Sequence, residues 1–426
     1  MINKAKKQLA SGALDKKFAS LYGEECVSEA RKRYTDAIES FEALYGGDRD
    51  ISIFSVSGRS ELSGNHTDHN NGRVIAASID LDIVAVAAPC SGSVIRVKSE
   101  GFDEDCVDFD AYSFPKSEKF ATSASIIAGI VSGIKMQGGK VGGFDAYMTS
   151  NVLVGSGLSS SAAFENTVGT VLNHFYNNGE MDGVTIAKLS KFAENDFFGK
   201  PCGLMDQIAC AVGGVVTIDF EDNDSPRVES LDCDITKAGY RLCIVNTGGS
   251  HADLTADYAA VPAEMKAVAA HFGKKTLRQL TKADVLNAIP SLRAKVGDRA
   301  IMRAIHFFDE NERVAAQVEA LRANDVDGFL AKVLESGRSS FCYLQNVFSP
   351  SSTAEQGISL ALCLAEGCLK NKKAAWRVHG GGFAGTVQAF VRESDVELFK
   401  SEMEAVFGEG ACKVLRIRNE GAERIL

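Results

Sequence analysis

Four polar, glycine-rich stretches carry most of the residues that could do chemistry: 58–72, 155–161, 199–207 and 379–385. In the second, Val152, Leu153 and Val154 form a β-branched lead-in. Gly155, Ser156, Gly157 and Leu158 then make a loop, and Ser159, Ser160, Ser161 and Ala162 open a helix. Strand, glycine loop and helix start together hold a phosphate, because the first amides of a helix have no partner within it and lie at its positive end. Glycine lets the backbone close on an anion, and the hydroxyls add donors, one of which can reach a metal ion. The spacing is neither a Walker A loop nor G-x-G-x-x-G, since no Gly-Lys-Ser/Thr follows and Ser160 stands where a third glycine belongs. The bland alternative is a serine-capped helix with no ligand.

The first stretch gathers Arg59, Glu61, Asn65, His66, Asp68 and His69. So many directional donors and acceptors suit a polyhydroxylated ligand. The alternatives are a solvated turn-rich loop and, ranked below hydrogen bonding, a metal on His66 and His69. Asp206 follows Leu204 and Met205 directly, an apolar approach that suits a partly desolvated base, or an anchor for one, as well as a helix cap. Glu194, near the end of a helix expected over 185–197, reads by itself as a solvated face.

The elements around these stretches come in blocks. Helix is expected over 1–46, 123–136, 162–177, 185–197 and most of 261–369. Strands are expected over 51–57, 74–88, 91–112 (a hairpin), 144–154, 215–220, 241–247 and both sides of Gly380-Gly381-Gly382, with helix then strand at 394–407 and 412–417. Blocks rather than strict alternation give the class α+β. A boundary at Gly213-Gly214 divides the chain into 1–213, with the sugar-suited loop and the Gly/Ser loop, and 214–426. The 426 residues suffice for two such domains. A net charge of −10 without a basic block argues against nucleic acid and anionic membrane surfaces as partners. Eleven scattered cysteines without a C-x-x-C pair fit reduced thiols. With neither a signal-peptide core at the start nor an apolar run of membrane length, the expectation is a cytoplasmic protein, a monomer or weak homodimer.

The four stretches in this order resemble the GHMP kinase superfamily and, within it, the galactokinase family. Gly58-Arg59, His66-Thr67-Asp68, Asn70 and Gly72 resemble the galactokinase signature. Gly155 to Ala162 resemble the superfamily's phosphate loop, Cys202 to Gln207 the segment with the catalytic aspartate, and Gly380 to Gly385 the C-terminal glycine motif. Weaker echoes lie at His251 to Tyr258, Arg303 to His306, Glu312 to Val314 and Glu335 to Ser339. The resemblance implies a two-domain α+β fold with the active site in the interdomain cleft, ATP as co-substrate and Mg²⁺ as cofactor. It implies that Asp206 orients and deprotonates the sugar's anomeric hydroxyl, that Arg59 stabilises charge, and that Asn65, His66, Asp68, Gly203 and Tyr258 contact the sugar. Gly155, Ser156, Gly157, Leu158, Ser159, Ser160, Ser161 and Ala162 would hold the nucleotide, with Ser161 (less surely Ser160) and Glu194 on the metal.

The chain departs from the family pattern at Asn65, where a glutamate is usual, at Ser60 and Glu61, where valine and asparagine are usual, at His69 for tyrosine and at His379 for threonine. These changes are expected to cluster near the sugar. The implied activity is galactose 1-phosphorylation. Kindred substrates such as galacturonate, N-acetylgalactosamine or arabinose, or a non-catalytic sugar- and ATP-binding regulator, are the alternatives. His379 either touches a ligand or closes a turn.

Overall fold

The computed structural model describes residues 2–111, 121–152, 157–200, 202–249 and 254–426. Three helices, α1 (Ile2–Ala10), α2 (Asp15–Tyr22) and α3 (Val27–Tyr45), open the chain. Five strands follow: β1 (Ser52–Ser63), β2 (Arg73–Cys90), β3 (Val94–Ser99), β4 (Glu104–Asp108) and, after helix α4 (Ser123–Met136), β5 (Gly143–Ser150). Strand β2 shows why both faces of the sheet are covered. Its Val84, Val86 and Ala88 pack under α1–α3, while Ile83, Ala85 and Ala87 pack on the opposite side with α4. Side chains alternate across a strand, so a strand buried on both faces reads as one apolar run.

Helix α5 (Ser160–Tyr176) joins α4 on that second face. Helix α6 (Gly183–Phe192) ends in a π-turn over Ala193–Phe198, and α7 (Met205–Val212) follows. Strands β6 (Val215–Asp219) and β7 (Arg227–Leu231) return to the first sheet, and β8 (Tyr240–Asn246) begins the second. Six helices come next: α8 (Thr255–His271), α9 (Lys282–Asn287), α10 (Ile289–Val296), α11 (Asp298–Arg322), α12 (Val326–Ser339) and α13 (Gly357–Leu369). The chain closes with β9 (Ala375–His379), β10 (Thr386–Arg392), α14 (Val396–Phe407), β11 (Cys412–Leu415) and β12 (Ala422–Arg424).

The first sheet has the order β12-β1-β2-β5-β3-β4, with β6 paired to the first half of β2 and β7 beyond it; β3 and β5 are parallel. The second is antiparallel, β11-β8-β10-β9. The sheets do not part at 213–214. Strands β6, β7 and β12 all belong to the first sheet, so the chain crosses back at its end. Leu62 and Ile75 of the first sheet meet Leu158, Ile244, Val314, Phe329 and Phe390 in one apolar layer. The polar residues of interest lie along its edge.

The α+β class holds, and three local expectations change. The stretch 58–72 is not all loop, because β1 continues to Ser63. A register shift falls between Ser57 and Arg59 where β1 pairs with β2, and such bulges re-aim side chains. Asp206 lies in the first turn of α7 and Tyr258 in the first turn of α8, not in loops. Strands β7 and β12 were not expected; each is short and half-exposed.

Candidate active site

Arg59 and Asp206 meet in a bidentate ion pair, with Nε donating to Oδ1 at 2.8 Å and Nη2 to Oδ2 at 2.5 Å. Forked geometry of this kind fixes both planes. Ser159 Oγ donates to Asp206 Oδ2, and Arg59 Nη1 donates to the carbonyl of Gly157. The Arg59 amide adds a bond to the Leu158 carbonyl at 3.1 Å. Gly58 permits this approach, since a Cβ there would stand 2.9 Å from that carbonyl oxygen. The Arg59 side chain is 9% exposed and that of Asp206 35%, so the pair turns its carboxylate, not its guanidinium, to the open side. Burial works against the Asp206 charge, but the Arg59 guanidinium outweighs it and holds the carboxyl below its ordinary value.

Ser159 immediately precedes α5 but does not cap it. It lies in the left-handed region (φ 59°) with its hydroxyl on Asp206. Helices α4, α6 and α12 do have capping side chains, from Thr122, Asp182 and Asp325. The first amides of α5 thus have no side-chain cap from Ser159. Leu158 and Ala162 are buried with their side chains in the core, so only their backbone can face a ligand, while Ser161 is exposed. Gly155 and Ser156 lie outside the described residues, as does His251.

Glu165, one turn along α5 from Ser161, shares the Gln207 amide with Glu194, a pair of carboxylates that the sequence announces only in part. Glu194, in the π-turn, is 3% exposed, with Oε1 2.8 Å from Lys200 Nζ. Its Oε2 accepts from Gln207 Nε2 at 2.9 Å, and the same amide group donates to Glu165 Oε2 at 3.2 Å. Glu165 is fully buried one turn after Ser161, and its Oε1 has no partner among the described residues. Burial, then the charge of Glu194, push its carboxyl well above the ordinary value. Hard oxygen donors and an unpartnered buried carboxylate oxygen fit Mg²⁺, which takes one or two carboxylates and fills its shell with water and phosphate. Among the described residues no group of three or more His, Cys, Asp or Glu is gathered as a ready-made metal cage.

The polyol-suited loop is held from the far end of the chain. The fully buried Glu310 of α11 accepts from the amides of Gly64 and Asn65 at 3.2 and 3.4 Å, from Ser336 Oγ at 2.6 Å and from Arg313 Nε at 2.8 Å. Burial opposes its charge, yet Arg313 and its neighbours bring its pKa down to about 2. His306 bonds the Asn65 carbonyl at 3.0 Å and Ser339 Oγ at 2.9 Å. The weaker echoes in the sequence therefore mark residues that grip this loop.

His66 has φ 58° and places Nε2 2.9 Å from the Gly381 carbonyl, which makes Nε2 the donor. Nδ1 is then a buried acceptor with no partner among the described residues. Burial, then His69, lower its pKa to about 4, so the ring is neutral at neutral pH. Asp68 leans on Gly203, where a Cβ would come within 2.8 Å of its carboxylate oxygen. The Tyr258 ring presses on Gly381, where a Cβ would come within 2.5 Å of it, and its hydroxyl donates to the Gly382 carbonyl at 2.6 Å.

Asn65, expected at the sugar, is 0% exposed and its carboxamide is bonded within the protein. Nδ2 donates to Glu61 Oε1 at 3.3 Å and to the Gly380 carbonyl at 2.7 Å, while Oδ1 accepts from Asn346 Nδ2 at 2.8 Å and Ser340 Oγ at 3.2 Å. Glu61 in turn forms a buried ion pair with Arg377. His379 closes the β9–β10 turn, with Nδ1 2.9 Å from Thr386 Oγ1 at its far end, and also reaches Ser60 Oγ at 3.1 Å through Nε2. The departures from the family pattern thus pair with one another, Glu61 with Asn65 and Ser60 with His379. Glu165, Gln207, Glu310 and Arg377 were not anticipated. Gln207 directly follows Asp206, a signal that could have found it; the others lacked any local one.

The profile of the GHMP kinases N terminal domain matches residues 123–214, and that of the galactokinase galactose-binding signature matches residues 39–89. The chain is 31% identical over 373 residues to a galactokinase of Actinobacillus pleuropneumoniae, covering 85% of this chain and 90% of the relative. It is 29% identical over 396 residues to a galactokinase of Streptomyces coelicolor, covering 91% and 97%. Its fold is similar to that of Lactococcus lactis galactokinase (TM-score 0.75, 24% identity, 91% of this chain and 98% of that one) and to that of a mevalonate kinase (TM-score 0.61, 14% identity, 86% and 99%). With a relative above 30% identity covered over nearly its whole length, the chain belongs to the galactokinase family.

Proposed function

We propose that this chain transfers the γ-phosphoryl group of ATP to the anomeric hydroxyl of α-D-galactose, giving galactose 1-phosphate and ADP. The observation that carries the reading is the Arg59–Asp206 pair set against the start of α5.

In this reading the anomeric hydroxyl donates to Asp206 Oδ1, which carries a single protein bond, and is thereby aimed at the γ-phosphorus. Its oxygen forms the new P–O bond while the bond to the β–γ bridging oxygen breaks, and ADP leaves with that electron pair. The hydroxyl proton passes to Asp206. A carboxylate held down by Arg59 is a weak base in the ground state. It suffices because the transition state is loose and the hydroxyl acidifies only as the bond to phosphorus forms. Arg59 keeps Asp206 anionic and sets its plane. The open amides at the start of α5, with the hydroxyls of Ser160 and Ser161, hold the phosphates. Ser161 and Glu194 would hold Mg²⁺, with Glu165 behind them. The ion supplies charge compensation on the β- and γ-phosphates. His66 Nδ1, Asp68, the Gly203 backbone and Tyr258 would receive the sugar, and the acceptor-rich Nδ1 and Asp68 suit hydroxyl donors.

The buried position of Asn65 supports galactose over other sugars, because the residue that raised the question is bonded to protein. A cytoplasmic location and a monomer or weak dimer belong to the same reading; among the described residues no helix is long and apolar enough to cross a membrane. The test is ADP release from Mg·ATP against galactose, N-acetylgalactosamine, galacturonate, arabinose, glucose and no sugar. Galactose should give the highest kcat/KM. Turnover led by another sugar would reassign the substrate, and ATP binding with no turnover on any sugar would make the chain a sensor.

A further inference from the structure

We propose that His379 is a positioning residue: it fixes Arg59 and the Gly157 turn relative to each other, from beneath. His379 is the last residue of β9 and Thr386 the first of β10, and the two are direct cross-strand partners. Ser60 is on β1, in the other sheet. All three are buried, at 2%, 4% and 0% exposure. The imidazole spans the two sheets, with Nε2 3.1 Å from Ser60 Oγ and Nδ1 2.9 Å from Thr386 Oγ1. A neutral imidazole has one donor and one acceptor, and a hydroxyl can play either part, so both nitrogens are satisfied in either tautomer. Burial, then the charges of Arg59 and Arg377, keep the ring neutral, with a pKa near 3.

Two connections link this bridge to the catalytic pair. Ser60 is the covalent neighbour of Arg59. The Gly157 turn also rests on the bridge: a Cβ at Gly157 would lie 3.3 Å from Thr386 Oγ1 and 3.4 Å from His379 Nδ1. On its other side the same turn is bonded by Arg59, through Nη1 to the Gly157 carbonyl and through its amide to the Leu158 carbonyl. The turn is thus held between the His379–Thr386 pair and Arg59, and Arg59 is held in turn through Ser60. Without the imidazole, Ser60 loses its partner and the turn loses its floor. The guanidinium can then shift relative to Asp206 and the phosphate amides, and a misplacement of about 1 Å costs on the order of 100-fold in rate.

The inference rests on the phosphoryl-transfer reading above, so the wild-type chain is assayed first and in parallel. The variants are H379F, which keeps the ring and removes both hydrogen bonds, and H379Q, whose amide can still reach Ser60. The readouts are kcat, KM for galactose and the thermal midpoint. H379F should lower kcat about 10- to 100-fold, with KM for galactose within about twofold, because the bonds it removes are to Ser60 and Thr386 and not to His66 or Asp68. H379Q should restore kcat to within about threefold, and S60A should lower it in the wild type but add little in H379F, as shared pathways are not additive. Wild-type kcat in H379F would overturn the proposal. So would a loss that H379Q does not relieve and that follows the thermal midpoint alone, since that is the mark of a packing role. If H379F does not fold, S60A combined with T386V decides: lowered kcat supports the bridge and unchanged kcat refutes it. A wild-type chain with no turnover on any sugar would remove the reading and the proposal together, whereas wild-type turnover with an indifferent H379F removes the proposal alone.

Discussion

The phosphate side and the sugar side of this site are built in opposite ways. On the phosphate side the contacts are direct and charged, although they join three separate stretches of the chain. Arg59, Asp206, Ser159 and the Gly157 turn touch one another, and Asp206 remains over a third open. On the sugar side the loop is held by residues more than two hundred positions away: Glu310 and His306 from α11, Ser340 and Asn346, and the Gly380–Gly381 carbonyls. Its polar atoms are mostly buried and matched within the protein. A phosphate needs a concentrated field, supplied here where β1, the start of α5 and α7 meet. A sugar needs several groups fixed at set distances, and a flexible loop can offer that only when a second part of the chain clamps it.

The largest effect should separate the two sides most cleanly. Asp206→Asn keeps the shape and one acceptor but removes the charge and the base. It should lower kcat at least about 1,000-fold while leaving ATP affinity within a few-fold, measured by ADP release and by nucleotide titration. Turnover near wild type would take Asp206 out of the mechanism. Next is Glu310→Ala, far from the phosphates. It leaves buried Arg313 and two loop amides without their acceptor, a loss of about 3–5 kcal/mol by the usual cost of breaking a buried pair. Denaturant unfolding should show it, with KM for galactose raised more than KM for ATP. An equal rise in both would mean that the loop clamp also serves the nucleotide.

Asn65→Glu probes the paired departures. It sets a second carboxylate against Glu61 where Arg377 is the near cation, so it should destabilise by about 1–3 kcal/mol and raise KM for galactose. Glu61→Asn in the same chain should recover part of the loss. If the single change improves galactose turnover, position 65 does reach the sugar. The smallest effect is the first step into acid, from pH 7 to 6. The pKa values of His66 and His379 are lowered to about 4 and 3, whereas an unfolded histidine titrates near 6.5. Below that pH the unfolded chain binds protons that the folded chain refuses, so stability falls as pH falls. The loss is about 1.4 kcal/mol per pH unit for each ring, down to its folded value. Urea midpoints at pH 7, 6 and 5 should drop more steeply in the wild type than in His379→Gln. Parallel curves would mean that the ring is already charged in the folded protein.

The amino-acid order by itself determined the α+β class, nearly every long helix and the start of α5. A local signal, an acid after two apolar residues, drew attention to Asp206; Glu194 by itself read as a solvated face although it is 3% exposed, and its role and that of Arg59 came from the resemblance. The sequence left unread the partners of Asn65 and the reach of His379 to Ser60, since a side chain's direction depends on what packs behind it. Strand β1 runs on past Gly58 and turns residues 60, 61 and 65 toward Arg377, Asn346 and His379. Nothing in a linear reading couples position 61 to 377 or 65 to 346. Only the closing of the second sheet and the α11–α12 helices over β1 brings them together, and that closure made the divergent residues partners of one another beneath the site.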